Sequence, residues 1–90
     1  MTEISVTATP AADGWSCQVD LADPDGSRTQ HHVRVTNADL ERFGAGDPGE
    51  LVRRSFAFLL GREPKESILR SFELPEISRY FPEYEREIRA

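Results

Sequence analysis

Apolar and polar side chains alternate along three stretches of the first 35 residues. Because successive side chains of a β-strand point to opposite faces of the sheet, a period of two predicts three half-buried strands. The stretches are separated by "PAADG" and "ADPDGS", whose Asp, Pro and Gly residues favour turns, with Gly14 and Gly26 available for positive φ. We therefore predict an antiparallel meander with strands near residues 3–9, 15–22 and 27–36.

The alternation also assigns the two faces of this meander, of which only the apolar one needs a cover. The residues predicted to face the core are Ile4, Val6, Ala8, Trp15, Cys17, Val19, Leu21, Val33 and Val35. The residues predicted to face outward are Ser5, Thr7, Gln18, Asp20, His32 and Arg34.

Helical patterning begins after the third strand. Thr36 or Asn37 can cap a short helix that Gly44 can end. The following "DPGE" supplies an N-cap, a first-turn proline and a first-turn acid, and apolar residues then recur at spacings of one, three and four. This pattern predicts a main helix over residues 48–60 that covers the sheet.

Proline divides the last third of the chain into short pieces. Pro64, Pro75 and Pro82 open "PKESILRSF", "PEISRYF" and "PEYEREI". Proline suits the first turn of a helix, and the residue before it avoids helical φ and ψ, so it keeps the pieces separate. We predict a series of short helical turns, of which the first two are about two turns long.

These patterns together predict an α+β fold, in which a three-stranded antiparallel meander packs against one main helix and short C-terminal helices. Ninety residues are enough for one hydrophobic core and too few for two. We expect a single domain over residues 1–90, with the sheet at about 3–36 and the helical part at about 37–90.

Charge is distributed unevenly along the chain. The first 27 residues hold five acidic and no basic side chains, whereas the rest hold eleven of each, which gives the formal net charge of −5. Binding to duplex nucleic acid usually requires several Lys or Arg side chains against phosphates. The composition therefore argues against a nucleic-acid partner.

The sequence also argues against membrane, metal and cofactor sites. It has no apolar run of about 18 residues, and "MTEISVTATP" lacks the basic start and apolar run of a signal peptide, so we expect a cytoplasmic protein. Cys17 is the only cysteine, which leaves no second thiol for a disulfide, metal or redox motif. His31 and His32 are adjacent on a strand and point to opposite faces, so they do not converge on one metal.

The sequence offers one possible catalytic pair, Cys17 and His31. Cys17 and His31 could meet across neighbouring strands as a nucleophile and its base. However, Cys17 lies between Trp15 and Val19 on the predicted core side, where a small buried thiol is usual. We therefore expect no catalytic residues and no enzymatic activity.

The segment "FLLGREPKESILRSFELPEISRYFPEYEREI" resembles the C-terminal half of a group of short, uncharacterised bacterial proteins of actinobacterial type. The pieces "EPKESILRSF" and "ISRYFPEYE" carry the resemblance, which covers about a third of the chain. It implies a small cytoplasmic bacterial protein and transfers no functional residue.

The aromatic C-terminal stretch is the candidate partner-binding segment. We expect the apolar residues from Ile68 to Phe81 to complete the core beside the main helix. Tyr80, Phe81, Tyr84 and Ile88 are the candidate partner-binding residues. For Tyr84 and Ile88, binding in a partner's groove and docking on the chain's own core remain open alternatives.

A basic cluster supplies the alternative function. Its residues are Arg53, Arg54, Arg62, Lys65 and Arg70. They can form salt bridges with acidic neighbours or provide a docking patch for an acidic partner or RNA. We therefore expect a non-enzymatic protein–protein interaction module, acting through the aromatic tail or a free sheet edge on another protein or a second copy. The alternative is a small nucleic-acid-associated regulator of antitoxin or RNA-binding type.

Overall fold

A computed structural model describes residues 1–44 and 46–89. Its strands are β1 (Glu3–Ala11), β2 (Gly14–Ala22), β3 (Arg28–Thr36) and β4 (Ser71–Glu73). Its helices are α1 (Asn37–Arg42), α2 (Pro48–Leu60), α3 (Glu76–Tyr80) and α4 (Tyr84–Arg89), and a 3₁₀ turn spans Lys65–Ser67. The fold is α+β, with one mixed sheet in the order β1-β2-β3-β4.

The predicted meander is confirmed. β1 and β2 pair antiparallel with Val6 opposite Val19, and β2 and β3 pair antiparallel with Val19 opposite His31. This register places the apolar residues of the three strands on one face, where Cys17 and Val33 lie opposite each other and are fully buried. The other face carries the predicted polar residues and stays open to solvent at positions such as His32.

The two turn glycines have different roles. Gly26 has a φ of 90°, as the turn pattern predicts. Gly14 has no positive φ, which corrects the prediction. It is required because the backbone of β3 passes close by: a Cβ on Gly14 would lie 2.1 Å from the Val35 carbonyl oxygen and 2.6 Å from Cα of Thr36.

The two predicted helices after β3 are present. Thr36 caps α1 through a reciprocal pair of hydrogen bonds with Asp39, and Gly44 follows the helix with a φ of 70°. Asp47 caps α2 by accepting from the Gly49 amide. The apolar side of α2 packs on the sheet and is buried at Leu51, Val52, Phe56 and Leu59.

The prediction is wrong for the segment that Pro64 opens. Its helical part ends after the 3₁₀ turn at Ser67, and the chain then passes through bends at Ile68 and Arg70 into β4, which pairs parallel with β3. The His32 amide donates to the Arg70 carbonyl at 2.7 Å, and the Leu74 amide donates to the Arg34 carbonyl at 3.0 Å. The outer edge of β3 offers these backbone groups, and pairing with them outweighs the weak local preference for a helix.

The last two helices complete the core. α3 begins after Pro75 and buries Ile77, and α4 packs against α2 and buries Tyr84 and Ile88. Tyr84 makes edge-to-face contacts with Phe43 and Phe58, whose ring centroids both lie 5.2 Å away. No helix in the described residues is long and apolar enough to cross a membrane.

Candidate interaction pocket

An apolar pocket of about 350 Å³ opens between the end of α2, the segment that leads into β4, and α3. Its lining residues are Leu59, Glu63, Ser67, Ile68, Leu69, Phe72, Glu76, Ile77, Tyr80 and Phe81. Four of these form a buried apolar base continuous with the core: Leu59, Ile68, Phe72 and Ile77. The pocket is therefore a place where the core reaches the surface.

Two large apolar side chains stand exposed at the mouth of this pocket. Leu69 is 46% exposed and Tyr80 is 65% exposed, and with Met1 they are the exposed large hydrophobic residues of the described chain. Phe81 forms part of the wall and is held by an edge-to-face contact with Phe58, at 5.9 Å between centroids. Large exposed apolar groups beside a concave apolar surface are typical of interaction sites.

The local backbone explains why Leu69 points outward. Ile68 follows the 3₁₀ turn with extended backbone angles and buries its side chain, whereas the side chain of its neighbour Leu69 is on the exposed side. Buried His31 fixes this arrangement, because its Nδ1 lies 2.8 Å from the Leu69 carbonyl oxygen. A carbonyl only accepts, so Nδ1 is the donor, while Nε2 lies 2.9 Å from the Thr29 hydroxyl.

The side wall of the pocket carries negative charge. Glu63 and Glu76 both line it. The Glu63 carboxylate makes no ion pair within residues 1–44 and 46–89. One oxygen of Glu76 accepts from the Glu73 amide at 2.9 Å, which holds this carboxylate at the start of α3.

The structure separates the four predicted partner-binding residues. Tyr80 and Phe81 line the pocket, whereas Tyr84 and Ile88 are 0% and 4% exposed and belong to the core. Two alternatives were open for Tyr84 and Ile88, and in the structure both side chains dock on the chain's own core. The reason is that α4 lies along α2 and covers apolar surface there.

The pocket contains residues that sequence reasoning missed. Leu69 and Tyr80 belong to the Ile68–Phe81 stretch that was predicted to complete the core, and the structure corrects this, because both side chains are exposed. Neither Glu63 nor Glu76 is among the predicted site residues. The adjacency of two large apolar residues was a usable signal, since neighbours in an extended segment point in opposite directions. The placement of the two glutamates depends on how α3 packs beside α2, which the local sequence does not contain.

The predicted basic residues are spread over the molecule, and four of the five contact groups of the same chain. Arg53 donates to the Ile4 carbonyl at 2.8 Å, and Arg54 donates to the Ile88 carbonyl at 2.7 Å. Arg70 is exposed on the segment before β4. These three side chains do not form one patch, because they lie beside β1, α4 and β4 respectively.

Arg62 ties the end of α2 to α4. Its guanidinium donates to Glu83 at 3.1 Å and to Glu87 at 2.9 Å, and it lies 3.6 Å from the centre of the Phe58 ring. The Glu83 pKa is lowered by hydrogen bonds from its own backbone and from Arg62. Since these side chains are partly exposed, the ion pairs orient α4 more than they stabilise it.

Lys65 is the most buried of the predicted basic residues, at 4% exposure. Its ammonium contacts the Asp23 carboxylate, the Ser27 hydroxyl at 2.7 Å and the Glu66 carboxylate at 2.8 Å. The hydrogen bonds that Lys65 donates to Asp23 and Glu66 raise the Lys65 pKa. The enclosed Lys65 ammonium links the 3₁₀ turn to the loop between β2 and β3. Its hydrogen-bonding capacity is used by groups of the same chain.

The rejected catalytic pair is not assembled. Cys17 lies opposite Val33 and His31 opposite Val19, which makes the two diagonal neighbours, and both ring nitrogens of His31 lie beside other groups, the Leu69 carbonyl and the Thr29 hydroxyl. Burial, and to a lesser extent Asp47, raises the pKa of the Cys17 thiol, which disfavours the thiolate that a nucleophile needs. Within the described residues, no group of three or more His, Cys, Asp or Glu side chains is placed to hold a metal ion.

A scan against protein-family models finds no match, and searches of curated proteins and of solved structures find no significant similarity.

Proposed function

We propose that this protein is a non-enzymatic interaction module that binds another protein through the pocket beside Tyr80. The observation that carries the proposal is the pairing of a pocket of about 350 Å³ with two exposed large side chains, Leu69 and Tyr80, at its mouth. Tyrosine is enriched at protein interfaces because it buries a large ring while its hydroxyl stays hydrated. An apolar side chain of the partner enters the pocket, and Leu69 and Tyr80 close over it.

Charge defines the chemistry of the partner. Glu63 and Glu76 line the pocket, and Glu63, which has no ion pair within the described residues, can pair with an incoming cation. The occupant is therefore a peptide segment with an apolar side chain next to Lys or Arg. The overall charge of −5 favours approach of such a segment and disfavours acidic ones.

The nucleic-acid alternative has less support. Of its five basic residues, Arg53, Arg62 and Lys65 are engaged by groups of the same chain. Arg54 also donates within the chain, to Ile88. Phosphate contacts would have to displace these partners, and the sites are scattered over several elements.

A random peptide display library selected on the folded protein tests the proposal. We expect enrichment of peptides with an apolar residue beside Lys or Arg. The enriched peptides should bind the variants Tyr80→Ala and Leu69→Ala about tenfold more weakly, since a central interface side chain contributes more than about 1 kcal/mol. The charge-neutralised variants Glu63→Gln and Glu76→Gln should weaken binding and reduce its dependence on salt.

Gln18→Ala is the control, because Gln18 is exposed on β2 on the outward face of the sheet. This variant should bind the selected peptides as the parent protein does. Peptides that bind Tyr80→Ala and Leu69→Ala without loss, or a selection that enriches acidic segments, would contradict the proposal.

A further inference from the structure

The outer edge of β1 is a long strand edge with which none of the described strands pairs. β1 is nine residues long and forms one side of the sheet, and no described residue pairs with its outer edge. The side chains of Ile4, Val6 and Ala8 pack against the core but are only partly buried. An edge of this length usually carries a lysine or a mid-strand proline that blocks pairing with another chain, and β1 has neither in its middle.

The hairpin between β1 and β2 decides which backbone groups point outward. Ala11 pairs with Gly14 across a two-residue connection, and the residues that flank such a connection face each other as a hydrogen-bonded pair. Pairs alternate from there, so the amides and carbonyls of Ile4, Val6, Ala8 and Pro10 point away from β2. Two independent features agree: Pro10 has no N–H to give, and the Ile4 carbonyl accepts from Arg53 outside the sheet.

These outward groups are complementary to the same groups of a second copy of the chain in one antiparallel register. With a two-fold axis at Thr7, Val6 faces Ala8 of the second copy and exchanges both hydrogen bonds with it. Ile4 faces Pro10 of the second copy, whose carbonyl can accept from the Ile4 amide. The Ile4 carbonyl then faces a residue without an N–H, and it needs none, because Arg53 already satisfies it at 2.8 Å.

Side chains and charges fit the same register. Glu3 is the one charged residue of β1, and it would face Ala11 of the second copy rather than another carboxylate. The two Thr7 side chains would face each other across the axis, a favourable cross-strand pair. Ile4, Val6 and Ala8 of both copies would form a continuous apolar row.

We propose that β1 is a self-association edge, and that two copies of this chain pair antiparallel through β1 about Thr7 to form one eight-stranded sheet. The proposal is independent of the pocket, which lies beside β4 at the other side of the sheet. Binding of peptide at the pocket and dimerisation at β1 can therefore fail separately.

Sedimentation equilibrium over a range from about 10 µM to about 1 mM tests this interface, since the dimer fraction of a weak dimer rises with concentration. We expect the parent protein to dimerise, and Ala8→Pro to weaken the dimer by at least about tenfold, because it removes the outward amide of Ala8 from each copy. A protein that stays monomeric over the whole range would overturn the proposal.

Charged substitutions of Thr7, the residue at the proposed two-fold axis, test the register. They do not disturb the core, because Thr7 is exposed. Thr7→Lys and Thr7→Glu should each weaken self-association by about fivefold, because like charges would face each other. An equimolar mixture of the two should associate more strongly than either alone. Self-association that withstands both substitutions, or a mixture no stronger than its components, would show that another surface is used.

Gln30→Lys is the control, because it adds the same charge on the exposed face of β3, two strands away from the axis. It should leave the dimer unchanged, as should Tyr80→Ala at the pocket. Amide hydrogen exchange gives a second readout: protection of Val6 and Ala8 should rise with protein concentration, and concentration-independent exchange would contradict the proposed pairing.

Discussion

The hydroxyl groups of Tyr84 and Ser55 lie 2.6 Å apart inside the core between α4 and α2. Ser55 donates to the Leu51 carbonyl at 2.7 Å, so Tyr84 must be the donor to Ser55. This chain of hydrogen bonds satisfies both buried hydroxyls and joins the last helix to the backbone of the main one. Burial raises the pKa of Tyr84 to about 12.

Tyr84→Phe should lower the free energy of unfolding by about 1 kcal/mol near neutral pH, the usual net contribution of a buried hydrogen bond. The difference should reverse in alkali. Tyrosine in the unfolded chain ionises near pH 10, while Tyr84 in the fold stays neutral to about pH 12. The contribution of Tyr84 to stability is thus present below about pH 10 and falls by about 2 kcal/mol by pH 12.

Urea unfolding of Tyr84→Phe and of the parent protein, from near pH 7 to about pH 12, measures the difference between their free energies of unfolding. Lys65 and Cys17 titrate in both proteins, so their contributions cancel in this difference. Tyr80→Phe is the control, since Tyr80 is 65% exposed, and it should not change stability near pH 7. An unchanged gap between Tyr84→Phe and the parent protein from pH 9 to pH 12 would contradict this account.

Ile88→Ala should destabilise the protein by about 2 to 4 kcal/mol, because it removes a 4% exposed side chain from the contact of α4 with α2. Leu69→Ala is matched in size and is 46% exposed, so it should cost less than about 1 kcal/mol. Thermal and urea unfolding measure both. Equal effects of the two variants would mean that α4 does not pack as the structure has it.

Gly14→Ala should cost about 1 to 3 kcal/mol, because the added Cβ would lie 2.1 Å from the Val35 carbonyl and force β2 and β3 apart. Gly49→Ala is the matched control, since its Cβ would meet only Asp47 Oδ1, at 3.7 Å. This second change should be neutral or slightly stabilising within the first turn of α2. Urea unfolding measures the two changes, and a neutral Gly14→Ala would show that the strands have room to shift.

Asp23→Asn should destabilise the protein near pH 7, because it weakens the enclosure of buried Lys65. Hydrogen bonds from Lys65 and then Thr2 lower the Asp23 pKa, so its contribution is present above the unfolded pKa and is lost as pH falls through the folded pKa. The difference from the parent protein should therefore shrink on going from near pH 7 to near pH 3 in urea unfolding.

Glu41→Gln is the control for the Asp23 experiment, because Glu41 is exposed on α1 and its side chain makes no hydrogen bond within the described residues. It should leave stability near pH 7 unchanged. A loss in Asp23→Asn that is the same at both pH values would mean that the charge of Asp23 is not what supports Lys65.

Local pattern was sufficient for the elements whose faces differ sharply. The sequence predicted strands β1, β2 and β3 from their alternation, and helix α2 from its cap and its apolar spacing. Each of these segments has one apolar face that only one periodicity can bury. The bounds of α2, Pro48–Leu60, coincide with the predicted range. Tyr80 was predicted both within the core-completing stretch and as a candidate partner-binding residue; the structure exposes it, and its role in binding stays a prediction.

The sequence-based predictions fail where contacts with a distant part of the chain determine the local structure. The sequence alone determined that there is a three-stranded meander, a main helix and a proline-divided tail, since these follow from spacing and turn chemistry. The tertiary structure decided that residues 71–73 form β4, that Lys65 is buried beside Asp23, and that Tyr84 reaches Ser55. These depend on the free edge of β3, on a carboxylate 42 residues away and on a hydroxyl 29 residues away, and no local pattern carries that information.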